Sequence, residues 1–379
     1  MDLIEMNDNM QENIEDVADG IDIVKPYDPS SIDIALKNLS LSLILDRLRY
    51  DEINLQPDYQ RKGGLWDARK KSQLIESLML KIPLPAFYFD GSDSDCWLVI
   101  DGLQRLTALK EFFVEKTLVL QGLEYLWDLE NKDVDSMPRL YMRRMMETQI
   151  VTYIINPGAP PNLKFNIFKR LNTGGMVLTS QEIRHALYQG FATKYLKRLS
   201  ECEEFREATG GTVPSDRMDD REMVLRFLAF YELVFDGYNG AMEQLLNRTM
   251  EYVNKEYNEV YAANVEKLFK QVMNVAVRLF DKFAFRRMPD MEKRRPVNKA
   301  LFEVWASQLA LLADEQWQVL EQHKNLLQRE YMQMNQQDEE FIASLRNENK
   351  ASVETRLLKI KTLIERILSY DSTYCTRQF

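Results

Sequence analysis

The sequence predicts an α+β domain followed by an all-α domain. Short apolar runs alternate with helical patterns up to about residue 156, which is typical of a sheet packed with helices. From about residue 180 onward, strand patterns nearly vanish and apolar residues recur at helical spacing. Near residue 102, an apolar strand also runs through a glycine turn into an amphipathic helix. We therefore expect an acidic disordered tail over 1–31, a mixed sheet with helices over 32–190 and a helical domain over 191–379.

The expected tail is strongly acidic. Residues 1–24 contain eight acidic side chains, no lysine or arginine and few aromatic residues. Such a segment cannot bury enough apolar surface to fold by itself, which predicts disorder. The formal net charge of the chain is −10, and subtracting the −8 of the tail leaves −2. The rest of the chain is thus nearly neutral, and its net charge argues neither for nor against a nucleic-acid partner.

The first expected elements are helices separated by a short strand. Apolar residues at helical spacing predict a helix over Ser40–Tyr50, and a short apolar run predicts a strand at Ile53–Leu55. A second helix is expected from about Asp67 to Leu80, because its apolar residues form one face. Pro83 and Pro85 follow it, and proline cannot continue a helix.

Strands are then expected in the middle of the first half. Ala86–Asp90 and Cys96–Asp101 are apolar runs joined by a polar turn, which predicts a hairpin or two adjacent strands. Leu118–Leu120 and Thr148–Ile155 are further strand candidates. A helix with apolar residues from Phe165 onward should stop at the glycine pair that follows it.

The helical half begins with a capping pattern. Thr179-Ser180-Gln181-Glu182 is typical of a helix start. Near the C-terminus, apolar residues alternate by four and three positions: Val353, Leu357, Ile360, Ile364 and Ile367. Such a seam packs within the domain or against a second chain, so an oligomer formed through the C-terminal helices is one expectation.

Composition and missing motifs exclude several classes of protein. The three cysteines lie far apart without a C-x-x-C pair, so neither a disulfide framework nor a zinc site is expected. His185 and His323 are the only histidines, which excludes nucleases and metal sites that need several imidazoles. The chain has no P-loop and no G-x-S-x-G sequence. It also has no membrane-length apolar stretch and no signal-peptide pattern, so we expect a cytoplasmic protein without a membrane partner.

Residues 99–110 form the most informative junction: Val-Ile-Asp-Gly-Leu-Gln-Arg-Leu-Thr-Ala-Leu-Lys. A helix start presents unpaired backbone N–H groups and a partial positive charge. A strand, a glycine turn and a helix carrying Gln104 and Arg105 therefore make a phosphate site, in which Asp101 supplies an acid for a metal ion or hydroxyl. A structural alternative stays open, in which Asp101 only caps the helix and Arg105 forms a salt bridge.

Polar residues also collect at the ends of other predicted elements. They are Gln60 and Arg61, Asp101–Arg105, Asn172–Gly175, and Gln181, Glu182 and Arg184. Together they offer arginines for phosphates, amides for a base or sugar, and carboxylates for a cation. That they meet in space is a hypothesis at this point.

A basic segment broken by Pro289 and Pro296 lies in the helical half. Its basic residues are Arg286, Arg287, Lys293, Arg294, Arg295 and Lys299. Such a segment is a candidate contact for a DNA backbone, chiefly through Arg286, Arg287, Arg294 and Arg295. The alternative is a solvated surface loop.

Three ordered motifs resemble those of a known family. Pro57-Asp58-Tyr59-Gln60-Arg61 with Trp66 corresponds to its P-x-Y-Q-R-x(3,4)-W pattern, residues 101–107 to D-G-Q-Q-R-L-T, and residues 170–184 to R-L-N-T-G-G-x(2)-L-x(2)-Q-E-I-R. The chain thus resembles the N-terminal domain of GmrS/GmrD-type modification-dependent restriction proteins and their stand-alone relatives. The resemblance covers about residues 35–310.

The resemblance implies a fold similar to the ParB and sulfiredoxin group, with a site for a nucleoside triphosphate and Mg²⁺. Matched by position, the implied catalytic residues are Asp101, Gln104 and Arg105, with Asp101 also the expected metal ligand. The expected nucleotide contacts are Gln60, Arg61, Gly102, Arg105, Thr107, Asn172, Thr173 and Gly174. The chain departs from the family at Leu103, where a glutamine is usual, which puts hydrolysis in doubt. The family's histidine-dependent nuclease is not recognised either, so DNA cleavage is expected to need a partner nuclease.

The sequence therefore predicts a nucleotide-binding and NTP-hydrolysing module in DNA-related antiphage defence. Its expected partners are a nucleoside triphosphate, DNA and a nuclease. One alternative is a non-catalytic DNA-binding or scaffold protein with a ParB-like fold. Another is a ParB-like nuclease that nicks DNA with Mg²⁺.

Overall fold

A computed structural model describes residues 33–55, 66–159, 161–171, 178–233 and 238–370. These residues form two units, one ending at Leu187 and the other beginning at Tyr188. No helix among them is long and apolar enough to cross a membrane.

The first unit is built on a five-stranded mixed sheet. In spatial order the strands are β1, β5, β3, β4 and β2. The pairs β3–β5 and β2–β4 are parallel, whereas β1–β5 and β3–β4 are antiparallel. The strands are β1 Ile34–Ser40, β2 Ile53–Asn54, β3 Phe87–Asp90, β4 Trp97–Asp101 and β5 Gln149–Ile155. Together with the helical second unit, this sheet confirms the predicted α+β class.

Six α-helices belong to the described part of the first unit. They are α1 Leu41–Arg49, α2 Ala68–Met79, α3 Leu103–Leu109, α4 Arg139–Met146, α5 Pro161–Leu171 and α6 Ser180–Leu187. A π-helical turn, Lys110–Val114, extends α3, and a 3₁₀ turn covers Trp127–Leu129. The predicted capping pattern is present at the start of α6, where Thr179 exchanges hydrogen bonds with Glu182. The helix α2 is capped as well, because Asp67 Oδ1 accepts from the Lys70 N–H at 2.8 Å.

The sheet separates two apolar cores. The first core lies on one face, where Phe87, Phe89 and Val99 pack with buried residues of α1, α2 and α3. On the other face, Ile100 and Ile155 pack with buried residues of α5 and α6. The strand β4 therefore contributes to both cores, which fixes the position of its last residue.

Two local predictions differ from the structure. The strand β1 was not predicted, because its central residues are exposed and its sequence lacks a clear apolar alternation. The predicted strand at Leu118–Leu120 is wrong. Leu118 and Leu120 are buried in the first core from an irregular segment, and Leu120 pairs its backbone with Asn131 and Lys132 instead of with a strand.

The described part of the second unit consists of helices: α7 Phe191–Ser200, α8 Glu203–Thr209, α9 Asp219–Glu232, α10 Met242–Glu256, α11 Glu259–Phe280, α12 Lys299–Ala310, α13 Asp314–Gln322, α14 Lys324–Gln337, α15 Glu339–Ser344 and α16 Lys350–Ser369. Every residue of α12 is buried, as expected for a helix surrounded by others. The apolar seam of α16 packs against α12, α13, α14 and α15 of the same chain.

A network of buried charges connects α9, α12 and α16. The Arg226 guanidinium lies 2.9 Å from a carboxylate oxygen of Glu303 and also pairs with Glu222 and Glu348. The second oxygen of Glu303 lies 2.5 Å from the Arg356 guanidinium. Because Glu303 and Arg356 are completely buried, each charge depends on its partners for stabilisation.

We expect Glu303→Ala to lower the free energy of unfolding by about 3–5 kcal/mol, because it leaves two buried guanidinium groups short of a counter-charge. Urea unfolding followed by circular dichroism measures this change. Glu315→Ala, at an exposed position of α13, is the matched control and should change stability by less than about 0.5 kcal/mol. Equal stabilities of the two variants would show that the network does not stabilise the fold.

Candidate functional site

The predicted junction forms a tight turn at the end of β4. Asp101 is the last residue of β4 and pairs with Tyr88 of β3. Gly102 follows with a φ of +103°, and α3 begins at Leu103. A left-handed backbone conformation favours glycine, and the space around this residue also excludes a Cβ. A Cβ at this position would lie 2.9 Å from Cε1 of Phe87 and closer still to Cδ1.

The start of α3 has no capping side chain among the described residues. Gly102 occupies the cap position and cannot supply one, and its carbonyl accepts the first helical hydrogen bond from the Leu106 N–H at 2.9 Å. The preceding N–H groups of a helix have no acceptor within the helix. The turn thus retains the backbone geometry that was predicted to bind an anion.

Arg105 is held by internal partners. Its guanidinium forms a 2.7 Å hydrogen bond with Asp101 Oδ2, donates to the carbonyl oxygens of Pro85 and Ala86, and stacks 4.3 Å from the Phe87 ring centroid. Burial lowers the pKa of Arg105, and the Asp101 carboxylate opposes that shift. The structural alternative is thus present in part: Arg105 forms the salt bridge, but Gly102 and not Asp101 occupies the cap position of α3.

The neighbouring polar residues on α3 also have partners. Oε1 of Gln104 accepts from the Trp66 N–H at 3.2 Å, and Trp66 packs against the first core. The Thr107 hydroxyl donates to the Leu103 carbonyl at 2.9 Å, within its own helix. Leu103 also packs against the first core. Among the described contacts, the Gln104 side chain uses its amide oxygen and not its amide nitrogen.

Several predicted nucleotide contacts lie outside the described residues. These are Gln60, Arg61, Asn172, Thr173 and Gly174. Their roles stay predictions.

The last motif places polar residues inside the first unit. On α6, Gln181, Glu182, Arg184 and His185 are all buried. An Nη1–H of Arg184 donates to Oε1 of Gln181 at 3.2 Å, and its guanidinium stacks 5.4 Å from the Phe165 ring centroid. The described contacts do not connect these residues with Asp101 or Arg105.

Sequence reasoning missed one neighbour of Asp101. The Tyr88 ring stacks on Tyr153 with 4.8 Å between ring centroids. Burial raises the pKa of Tyr88, and the negative charge of Asp101 adds to the effect. A tyrosine within an apolar strand gives no functional signal, so only the register of β3 against β4 identifies it.

The basic segment of the second unit is partly structural. Arg286 is buried and donates to the carbonyl oxygens of Ala284 and Thr209, at 3.0 and 2.6 Å. Because its side chain is buried, Arg286 is not accessible for the predicted contact with DNA. Arg287, Arg294 and Arg295 are partly exposed, and their contact with DNA stays a prediction.

A protein-family model matches most of the first unit. Residues 44–189 match the family model described as "GmrSD restriction endonuclease, N-terminal domain", which confirms the resemblance for this segment. The expected extension to about residue 310 lies outside the match. No curated protein and no solved structure matches the chain, so the similarity to the ParB and sulfiredoxin fold stays a prediction.

We expect Gly102→Ala to be more destabilising than Gly158→Ala, by more than about 1 kcal/mol. Both glycines have a positive φ, but a Cβ at Gly158 meets nothing within 4 Å, whereas one at Gly102 meets the Phe87 ring. Gly158→Ala thus measures backbone strain alone, which costs about 1 kcal/mol. Equal melting temperatures for the two variants would contradict the close contact between the turn and Phe87.

Proposed function

We propose, from the match of residues 44–189 to the GmrSD N-terminal domain, that this unit binds and hydrolyses a nucleoside triphosphate in modification-dependent restriction. The observation that carries the proposal is the turn after β4, where a left-handed glycine precedes an uncapped helix start within the matched segment. Restriction is a defence against foreign DNA, so DNA and a partner nuclease belong to the same proposal.

Arg105 acts in this proposal as a positioning residue. Its guanidinium donates hydrogen bonds to the Asp101 carboxylate and to the carbonyl oxygens of Pro85 and Ala86. These bonds connect the end of β4 with the segment that leads into β3. Phosphate oxygens then contact the backbone N–H groups at the start of α3 and the Gln104 amide. Gln60, Arg61, Asn172, Thr173 and Gly174 remain proposed contacts from the matched motifs.

Asp101 is the proposed protein ligand for Mg²⁺. Its carboxylate is partly exposed, with 37% of the side chain accessible. The described residues contain no group of three or more His, Cys, Asp or Glu side chains that could hold a metal ion. A single carboxylate fits Mg²⁺ that arrives with the nucleotide, because this ion keeps waters and phosphate oxygens as its other ligands. Bound there, the ion would neutralise phosphate charge.

A second candidate function is a non-catalytic scaffold or DNA-binding protein. The internal neutralisation of Arg105 favours it, because that guanidinium is already paired with the Asp101 carboxylate and with the Ala86 carbonyl. Leu103, in place of the family's glutamine, removes one amide from the turn. Arg287, Arg294 and Arg295 are its proposed DNA contacts. The two functions differ in whether a triphosphate is consumed.

We expect phosphate release from at least one of the four nucleoside triphosphates in the presence of Mg²⁺, assayed with and without duplex DNA. Gln104→Ala should reduce the rate at least about tenfold, which corresponds to about 1.4 kcal/mol of transition-state stabilisation. Gln333→Ala, at an exposed position of α14, is the matched control and should leave the rate unchanged.

Two outcomes would contradict the hydrolytic proposal. Absence of phosphate release with every triphosphate, in a protein whose circular dichroism shows the folded state, would favour the scaffold. Equal rates for Gln104→Ala and Gln333→Ala would remove the site from the turn after β4.

A further inference from the structure

A loop of the first unit has its backbone fixed by side chains. Six successive N–H groups, from Gln121 to Leu126, each donate to a side-chain oxygen. Ser72 accepts the first at 3.0 Å, and Glu130 accepts the next two at 2.6 and 3.1 Å. The buried Glu76 carboxylate accepts the last three, at 3.0, 2.7 and 2.7 Å. Hydrogen bonds to a carboxylate are stronger than neutral ones, so the loop is held in one conformation.

This fixed loop presents two aromatic rings to solvent. Leu123 and Leu126 pack against the first core, and Leu129 is buried within it. Between these anchors, the Tyr125 side chain is 67% exposed and that of Trp127 is 76% exposed. A large aromatic ring on a rigid backbone contributes contact area on binding with little loss of conformational entropy.

The exposed rings are flanked by negative charge. Glu124 and Asp128 are exposed and lie directly beside Tyr125 and Trp127 in sequence. The side-chain stem of Arg69 lies against Gly122, and the Glu124 carboxylate accepts a hydrogen bond from the neutral Gln73 amide at 2.9 Å. The exposed residues of 124–128 are thus two acids and two aromatic residues, a surface that repels phosphate groups and attracts cations.

We propose that residues 124–128 are a docking site for a protein partner that presents an arginine-rich segment. Guanidinium groups stack on the Trp127 and Tyr125 rings and pair with the flanking carboxylates. Tryptophan, tyrosine and arginine are also the residues that contribute most to protein interfaces. The proposal does not depend on nucleotide binding at the turn after β4.

Fluorine NMR of the full chain, with 5-fluorotryptophan incorporated at its five tryptophans, tests the proposal. The Trp127 resonance is assigned by its loss in Trp127→Phe. The probe is an octapeptide of alternating arginine and glycine, compared with an eight-nucleotide oligothymidine. We expect the peptide to shift the Trp127 resonance in a saturable titration and the oligonucleotide to leave it unchanged.

Charge neutralisation gives the matched comparison. The double variant Glu124→Gln, Asp128→Asn should weaken peptide binding about fivefold, since cation–π and exposed ion-pair contributions are of that order. Asp314→Asn, Glu315→Gln removes two exposed charges of α13 in the second unit and should change affinity less than about twofold. Tyr125→Ala should also weaken binding, whereas Tyr50→Ala, at another exposed tyrosine, should not.

Three results would overturn the proposal. A Trp127 resonance that the peptide does not shift would remove the site. A shift caused by the oligonucleotide would assign the rings to nucleic-acid stacking instead. Equal weakening by the two double variants would show that the peptide senses only the overall charge of the protein. Each variant retains the fold-stabilising contacts of Glu76 and Glu130, and circular dichroism verifies this.

Discussion

The contacts of the buried Arg105 guanidinium determine the geometry of the first unit around its candidate site. One side chain connects the last residue of β4, Asp101, with the carbonyl oxygens of Pro85 and Ala86 and with the Phe87 ring. A buried guanidinium is tolerated only where its donors are satisfied, so these partners must stay together in the folded state. Gly102 lies where a Cβ would meet the Phe87 ring, and as glycine it leaves the start of α3 without a capping side chain. The uncapped helix start, on which the proposed anion binding depends, thus lies beside a structural ion pair.

This constraint changes how the matched family motif is interpreted in this chain. A motif with an arginine beside a glycine turn suggests a direct phosphate ligand, yet here that guanidinium already has a counter-charge. At the turn itself, the groups that remain for the proposed nucleotide contact are the backbone N–H groups and the Gln104 amide. Carboxylates fix backbone elsewhere in the unit as well, because Glu76 and Glu130 hold the loop that exposes Trp127. The two proposals therefore assign surfaces of different chemistry to the first unit, one for anions and one for cations.

Local signals in the sequence were enough to predict five of the six described helices of the first unit, all except α4, and the α+β class. The helix α2 has its cap at Asp67 and its apolar face within a dozen residues, so no distant contact was needed. By contrast, β1 has exposed central residues, and its partner β5 lies far along the chain. The partners of Arg105 include carbonyl groups of a segment about 20 residues earlier in the chain. No local motif encodes these contacts. Likewise, the sequence of α2 does not show the role of Glu76, its single acidic residue, because the three N–H groups that donate to it lie about 50 residues later.

The central claim is that the turn after β4 receives the phosphates of a nucleotide. Amide hydrogen exchange measures this directly, because a bound phosphate protects the N–H groups that it contacts. With Mg²⁺ and a saturating triphosphate, we predict slower exchange at Leu103, Gln104 and Arg105. The loop N–H groups from Gly122 to Leu126, which already donate to carboxylates, should stay unchanged and serve as the internal reference. Unchanged exchange at all three residues of the turn, with each of the four triphosphates, would contradict the claim.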